Sequence, residues 1–159
     1  MEIIQLSPTD SLTKKTVYEI LNHSHDKRIR QKTLDFYRNG IENFLKRNGA
    51  VIWLVCIDDS SIKVGISACA FGCKTKQVIH SITTVHPNYR KMGYGKKLLN
   101  AKVEILAKEY PKTKYRSYVN INNQASIKMC SGVGLVITDE GTRKRREKDP
   151  TSFFVFGRP

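Results

Sequence analysis

The apolar residues of this chain recur at two spacings, one typical of strands and one typical of amphipathic helices. The predicted elements are a strand at 2–6, a helix carrying Val17, Ile20 and Leu21 with Asp10 or Ser11 as cap, a helix at 27–47, strands at 51–57, 62–71 and 76–85, a helix at 96–109, a strand at 115–119, a helix at 123–131, and strands at 135–138 and 152–156. Helices between successive strands require crossover connections. The order therefore predicts an α/β fold (α+β in some schemes), with a mixed central sheet flanked by helices on both faces.

Composition narrows the class of protein. The chain has 159 residues, 40% of them hydrophobic and 26% charged, which suits one globular domain over 1–159. The longest apolar stretch, 51–57, is too short to span a membrane, and residues 1–10 lack the order of a secretory signal. We therefore expect a cytoplasmic protein with no membrane partner. The four cysteines are expected to be reduced thiols, and no metal site is predicted.

The large net positive charge is the most unusual feature of the composition. There are 28 Lys and Arg against 14 Asp and Glu, a formal net charge of +14. Residues 74–116 contain 11 basic and 2 acidic residues, so they contribute +9 of this charge, and a second basic cluster lies at 143–148. An anionic partner is implied, although charge alone does not separate a nucleic acid from a phosphorylated cofactor. The second cluster is equally consistent with a solvated loop.

A glycine-containing loop follows the predicted strand that ends at Val85. Gly93 and Gly95 lead directly into a basic amphipathic helix, whose first N–H groups have no partner inside the helix. Such a helix start is a natural site for a pyrophosphate. The loop is neither a Rossmann fingerprint, because Leu98 stands at the third glycine position, nor a Walker loop, because G-x-x-x-x-G-K-[ST] is absent.

Two motifs resemble those of the GNAT superfamily of N-acetyltransferases. The first is Val85-x-Pro87-x-Tyr89-Arg90-x-x-Gly93-x-Gly95, which is similar to the family's acetyl-CoA motif R/Q-x-x-G-x-G/A. The second is Asn123-x-x-Ser126-Ile127-x-Met129-Cys130-x-x-Val133-Gly134-Leu135, which resembles the later segment N-x-x-A-i-x-L-Y-x-x-l-G-F. The resemblance covers about 62–138 well and the remainder only by the order of elements.

The resemblance implies a coenzyme site. Main-chain N–H groups from six residues would hold the CoA pyrophosphate, and they belong to Lys91, Met92, Gly93, Tyr94, Gly95 and Lys96. Arg90 would add charge there. The strand end would present backbone groups to the pantetheine amide, and its residues are Ile82, Thr83, Thr84 and Val85. An N–H near Thr83 or Thr84 would polarise the thioester carbonyl. Asn123 and Ser126 complete this predicted site, with a simple helix cap as the alternative role of Asn123.

The resemblance also bears on the catalytic residues. The family's usual proton donor is a tyrosine, and this sequence has Cys130 at that position. Cys130 is therefore a candidate acid, with a packing role or a proton from water as alternatives. His80 is the candidate base, because its imidazole titrates near neutral pH. A structural histidine, or a water relayed through Ser81 or Thr83, are the alternatives.

The resemblance implies an N-acetyltransferase that uses acetyl-CoA as co-substrate and a primary amine as acceptor. The acceptor is open, either a protein or peptide or a small-molecule amine. A polyamine is disfavoured by like-charge repulsion. The alternative is a catalytically degenerate module on the same scaffold that binds an anionic macromolecule such as nucleic acid. The sequence leaves open whether the chain forms a homodimer.

Overall fold

The computed structural model describes residues 1–7, 15–16, 19–22, 31, 35–36, 41–47, 49–146 and 149–159. The strands are β1 (Glu2–Gln5), β2 (Gly49–Ile57), β3 (Lys63–Gly72), β4 (Gln77–Val85), β5 (Ser117–Asn120), β6 (Val136–Arg146) and β7 (Asp149–Gly157). The helices with described bounds are α1 (Ile41–Lys46), α2 (Tyr94–Glu109) and α3 (Gln124–Ser131), and a 3₁₀-helix covers Pro87–Tyr89. Residues 15–16, 19–21, 31 and 35 are also helical. This order agrees with the order predicted from the hydrophobic pattern.

The strands form two antiparallel sheets, in the orders β1-β2-β3-β4 and β5-β7-β6. The sheets meet at a single parallel bridge, Gln77 to Lys114, where the Val78 amide donates to the Lys114 carbonyl at 3.2 Å. Across the described ranges no further pairing joins β4 to β5. Parallel pairing is therefore confined to this bridge in the described structure, and beyond it the outer edge of β4 diverges from β5.

Apolar side chains cover both faces of the first sheet, as predicted. On one face α2 packs across β2, β3 and β4 and buries Leu98, Leu99 and Leu106. On the other face Ile20 and Leu21 pack with residues of β2, β3 and β4. β3 lies between the two layers, and its eight central residues are all buried. α2 ends at Tyr110 because Pro111 cannot continue a helix.

The structure corrects several sequence-based expectations. The spacing of apolar residues in the helix predicted at 96–109 places Ala107 on its inward side, but in α2 Ala107 is exposed, whereas Lys102 is completely buried. The strand predicted to begin at Tyr115 begins at Ser117. A continuous strand through Cys69 and Cys73 would place both thiols on one face, but Cys69 is buried in β3 while Cys73 lies exposed in the following turn.

The basic stretch expected as a loop before Pro150 is also different. β6 continues through it to Arg146, and its backbone pairs Arg143 with Phe153 and Lys144 with Ser152 of β7. An extended strand that pairs along its length satisfies its backbone donors better than a loop would. The predicted cap at Asp10 or Ser11, the helical position Val17 and most of the predicted helix at 27–47 lie outside the described residues.

Candidate functional site

The chain turns after β4 through the glycine loop, residues 86–95. His86 caps the 3₁₀-helix, because its Nδ1 accepts the Asn88 N–H at 3.3 Å. A histidine in a loop is ordinarily exposed, but His86 is half-buried. The half-buried Arg90 donates from Nε to the Val85 carbonyl at 3.1 Å. Arg90 therefore ties the loop to the end of β4.

Backbone donors accumulate where the glycine loop enters α2. Lys91 and Gly93 both have positive φ, +65° and +83°, which turns the chain abruptly into the helix. The first main-chain bond at the helix start runs from the Lys97 amide to the Gly93 carbonyl at 3.1 Å. Among the described residues, none of the six N–H groups from Lys91 to Lys96 donates to a loop, turn or cap acceptor. These donors lie at the positive end of the helix dipole, an arrangement that suits an anion.

Gly93 and Gly95 are needed in the loop for different physical reasons. A Cβ atom on Gly93 would contact nothing within 4 Å, so that position requires glycine for its φ and opens onto free space. A Cβ on Gly95 would lie 3.1 Å from Met129 Sδ and 3.5 Å from Val85 Cγ2. Gly95 therefore allows α3 to approach the start of α2 closely, while Gly93 leaves room beside the unpaired donors.

The second motif meets the first at this point. Asn123 caps α3, since its Oδ1 accepts the Ser126 N–H at 3.1 Å. At the other end of α3, Met129 lies against Gly95, and Lys96 Nζ lies 3.6 Å from where a Cβ on Gly132 would be. Folding thus brings together the two segments that the sequence separates by a helix and a strand.

The open edge of β4 presents alternate backbone groups. The Ile82 carbonyl points toward β3, where Ser67 Oγ donates to it at 3.4 Å, and the His86 amide likewise donates to Val64 at the end of the same ladder. Because backbone groups alternate along a strand, the Thr83 N–H points away from β3, toward the side where β4 and β5 diverge. The geometry therefore favours Thr83 over Thr84 as the outward donor.

The predicted catalytic residues lie in β4 and α3. The backbone of His80 pairs with Ala70 beside a register shift, where Ile79 is an extra residue in β4. Cys130 is buried near the end of α3, and burial raises the pKa of its thiol to about 11. At neutral pH Cys130 therefore carries a proton. The roles of both residues remain predictions.

Residues 15–134 match the sequence model of the acetyltransferase (GNAT) family, three-quarters of the chain. The chain belongs to the GNAT acetyltransferase family. A search of curated proteins found no match. None of the helices in the described ranges has the length and apolar character that a membrane span requires.

Solved structures share the GNAT fold at low sequence identity. PaiA N-acetyltransferase from Thermoplasma acidophilum, in complex with coenzyme A, has a TM-score of 0.69 at 18% identity, covering 99% of this chain and 97% of that one. A spermidine N-acetyltransferase SpeG chimera from Vibrio cholerae and hSSAT has a TM-score of 0.72 at 11% identity, with coverages of 99% and 96%. The ribosomal-protein-S5-alanine acetyltransferase from Vibrio fischeri gives 0.70 at 12%, with coverages of 98% and 91%. At these identities the similarity establishes the fold.

A buried polar cluster lies behind β4 of this GNAT domain, and the sequence did not reveal it. The five members of this polar cluster are Ser67, Ser81, Thr83, Lys102 and Tyr115. Lys102 Nζ donates to Ser81 Oγ at 2.9 Å, Thr83 Oγ1 at 3.1 Å, the Ile82 carbonyl at 3.1 Å and the Ala68 carbonyl at 3.3 Å. Ser67 Oγ lies 2.7 Å from Thr83 Oγ1, and the Tyr115 hydroxyl lies 3.1 Å from Ser81 Oγ.

Burial governs the protonation of this cluster. Desolvation lowers the pKa of Lys102 to about 8, and no carboxylate lies among its contacts in the described part of the chain. Burial raises the pKa of Cys69 to about 12 and that of Tyr115 further above its usual value. The hydroxyls of Ser81 and Thr83 are both engaged by Lys102, which weighs against a water relay through either of them.

Proposed function

We propose that this chain is an N-acetyltransferase that transfers the acetyl group of acetyl-CoA to a primary amine by direct attack. The observation that carries the proposal is the set of N–H donors from Lys91 to Lys96, beside the open position of Gly93. A diphosphate requires several convergent donors and no competing side chain. Membership of the GNAT acetyltransferase family supports the same donor substrate. Arg90, Asn123 and Ser126 complete the proposed coenzyme site.

The proposed reaction needs no covalent enzyme intermediate. The amine nitrogen attacks the thioester carbonyl carbon, so that a C–N bond forms as the C–S bond breaks. The Thr83 N–H stabilises the developing negative charge on the carbonyl oxygen. His80 accepts the proton that the amine loses, and Cys130 is the proposed proton donor to the departing thiolate, although burial raises its pKa to about 11 and so makes it a weak acid. Water is the alternative proton carrier at both positions.

The acceptor is proposed as a protein, a peptide or a small-molecule amine. Solved structures that share this fold include a spermidine N-acetyltransferase chimera and a ribosomal-protein-S5-alanine acetyltransferase. A net charge of +14 repels a polycation and favours an amine in an acidic setting. We therefore rank an acidic peptide above a polyamine as acceptor.

A second candidate function is a catalytically inactive module that binds an anionic macromolecule such as nucleic acid. A cleft of about 510 Å³ lies between residues 111–116 and the ends of β6 and β7, and four basic residues line it, Lys112, Lys114, Arg116 and Arg158. Such a concentration of cations favours an anionic ligand. The first and second candidates differ in whether acetyl-CoA binds at all.

Calorimetry with acetyl-CoA and desulfo-CoA, followed by an assay of thiol release with a panel of amines, tests the proposal. We expect both coenzymes to bind, and thiol to be released from acetyl-CoA only when an amine is present. An absence of acetyl-CoA binding, together with nucleic-acid binding that weakens steeply with salt, would establish the second candidate instead. Strong turnover of spermidine would refute the ranking of acceptors by charge.

A further inference from the structure

The buried ammonium group of Lys102 lies directly behind the strand segment to which we assign the thioester. Lys102 is 0% exposed, although it belongs to a basic segment that would ordinarily face solvent. Its Nζ donates to the Ile82 carbonyl at 3.1 Å and to the Ala68 carbonyl at 3.3 Å, across the β3–β4 pair. Burial of a charge there costs desolvation free energy, and Leu or Met would fill the same space without that cost. The charge therefore calls for a role beyond packing.

The Ile82 carbonyl and the Thr83 N–H belong to one peptide group. An ammonium group that binds the carbonyl oxygen draws electron density from the amide, and so strengthens the N–H as a donor. Lys102 also donates to Thr83 Oγ1 at 3.1 Å and to Ser81 Oγ at 2.9 Å, which fixes β4 on both sides of this peptide. The outward direction of the Thr83 N–H is thereby held, and its donor strength is increased.

We infer that Lys102 is a positioning residue for acetyl transfer, which acts through the Ile82–Thr83 peptide to strengthen and orient the Thr83 N–H toward the thioester oxygen. This inference rests on the proposed function. It concerns the chemical step, because the donors that hold the diphosphate lie in the glycine loop, away from the contacts of Lys102. Replacement of Lys102 therefore lowers kcat and leaves the KM for acetyl-CoA near its original value.

The titratable groups around Lys102 keep their protons over the range in which it loses its own. In the described structure these groups are Cys69 in β3, Cys130 in α3 and Tyr115 before β5. Burial raises the pKa of Cys69 to about 12 and that of Cys130 to about 11, and raises that of Tyr115 as well. A change in donor strength near pH 8 can therefore be assigned to Lys102.

The test compares wild type with Lys102→Met, which keeps the length of the side chain but removes its charge. The carbonyl stretch of bound acetyl-CoA, labelled with ¹³C in the acetyl group, reports the hydrogen bond at the thioester oxygen. We expect this infrared band to lie below that of free acetyl-CoA in wild type and to move back toward it in Lys102→Met. Turnover should fall roughly 10-fold, less than when an oxyanion donor is removed outright. Lys102→Arg, which retains a cation, should recover part of both effects.

Leu106→Met is the matched control, since Leu106 is equally buried one helical turn later and has no bond to the polar cluster. It should keep the band and the turnover of wild type. A folded Lys102→Met with the same band and kcat as this control would overturn the inference.

If Lys102→Met does not fold, the wild-type protein alone decides the question. Its bound carbonyl band should shift toward the free position as pH rises through about 8, where Lys102 loses its proton. A band that stays constant from pH 7 to pH 9 would overturn the inference. Failure of the proposed function gives a different result: acetyl-CoA either does not bind, so that no band of bound acetyl-CoA is recorded, or it binds but is not consumed with any amine.

Discussion

The glycine loop and the polar cluster both concentrate hydrogen-bonding groups, but the groups are unpaired in the loop and paired in the cluster. In the loop, none of the N–H donors from Lys91 to Lys96 has a main-chain acceptor among the loops, turns and caps of the described chain. In the polar cluster, the hydroxyls bind one another and the buried Lys102 ammonium. Unpaired donors at the surface are available to bind a ligand, whereas donors that already have acceptors in the core fix the position of the β4 backbone. Substitutions in the loop should therefore change binding, and substitutions in the cluster should change stability or chemistry.

The largest expected effect comes from Gly93→Glu. Its carboxylate would occupy the proposed place of the diphosphate and repel it, so we expect the affinity for acetyl-CoA to fall by at least about 100-fold. Calorimetry measures this directly.

Gly134→Glu is the matched control for that substitution. Gly134 also has a positive φ, +79°, and a Cβ there would likewise contact nothing within 4 Å. Both variants should lose a similar stability of about 1–2 kcal/mol, the cost of a left-handed backbone for a residue with a side chain. Equal loss of affinity in both would show that strain, rather than occupation of the anion site, explains the first result.

Tyr115→Phe tests the other side of the comparison. It removes the hydroxyl that lies 3.1 Å from Ser81 Oγ and leaves a buried polar group with one partner fewer. We expect a loss of about 1 kcal/mol in the free energy of unfolding, measured by urea denaturation. The affinity for acetyl-CoA should stay unchanged. A variant as stable as wild type that binds acetyl-CoA more weakly would place the Tyr115 hydroxyl in the coenzyme site.

Substitutions of Asn123 distinguish its role as a helix cap from its proposed role in binding acetyl-CoA. Asn123→Ala removes the acceptor of the Ser126 N–H and should cost about 1 kcal/mol of stability, whereas Asn123→Ser keeps a capping oxygen. We expect Asn123→Ser to melt like wild type but to bind acetyl-CoA more weakly, because it lacks the amide proposed to contact the pantetheine arm. Binding equal to wild type would leave Asn123 with the cap alone.

The smallest expected effect is on the pH dependence of stability. The pKa of Lys102 is about 8 when folded and is ordinarily 10.5, so the unfolded chain binds more protons above pH 8, and stability rises with pH there. The thiols of Cys69 and Cys130 have the opposite effect above about pH 9, since their pKa values are raised from 9.0 to about 12 and 11. The melting temperature of the wild type should therefore rise between pH 8 and 9 as Lys102 loses its proton. This rise should be absent in Lys102→Met. An identical pH profile in both proteins would contradict the burial of a titrating lysine.

The sequence predicted the regions whose roles depend on local pattern. The alternation of apolar positions predicted the order of the strands along the chain, and the glycine loop is identifiable because the positive φ of Gly93 suits few other residues. The Asn123 cap is likewise a local contact, three residues from Ser126, and the structure confirms it.

The polar cluster could not be predicted in that way, because its members lie far apart in the chain. Lys102 and Ala68 are 34 residues apart, and so are Ser81 and Tyr115. In the sequence, Lys102 resembles any basic residue of an amphipathic helix, and its burial depends on how α2 packs over β3 and β4. The strand at 139–146 was missed for a similar reason, since its pairing with β7 overrides its polar composition.

The amide resonances of the glycine loop test the central proposal most directly. In ¹H–¹⁵N spectra of the protein titrated with coenzyme A, the proposal predicts large downfield shifts for the amide protons of Gly93, Tyr94 and Gly95, with Gly134 unmoved. Saturable binding that leaves those three amides unshifted, or no binding at all, would contradict it.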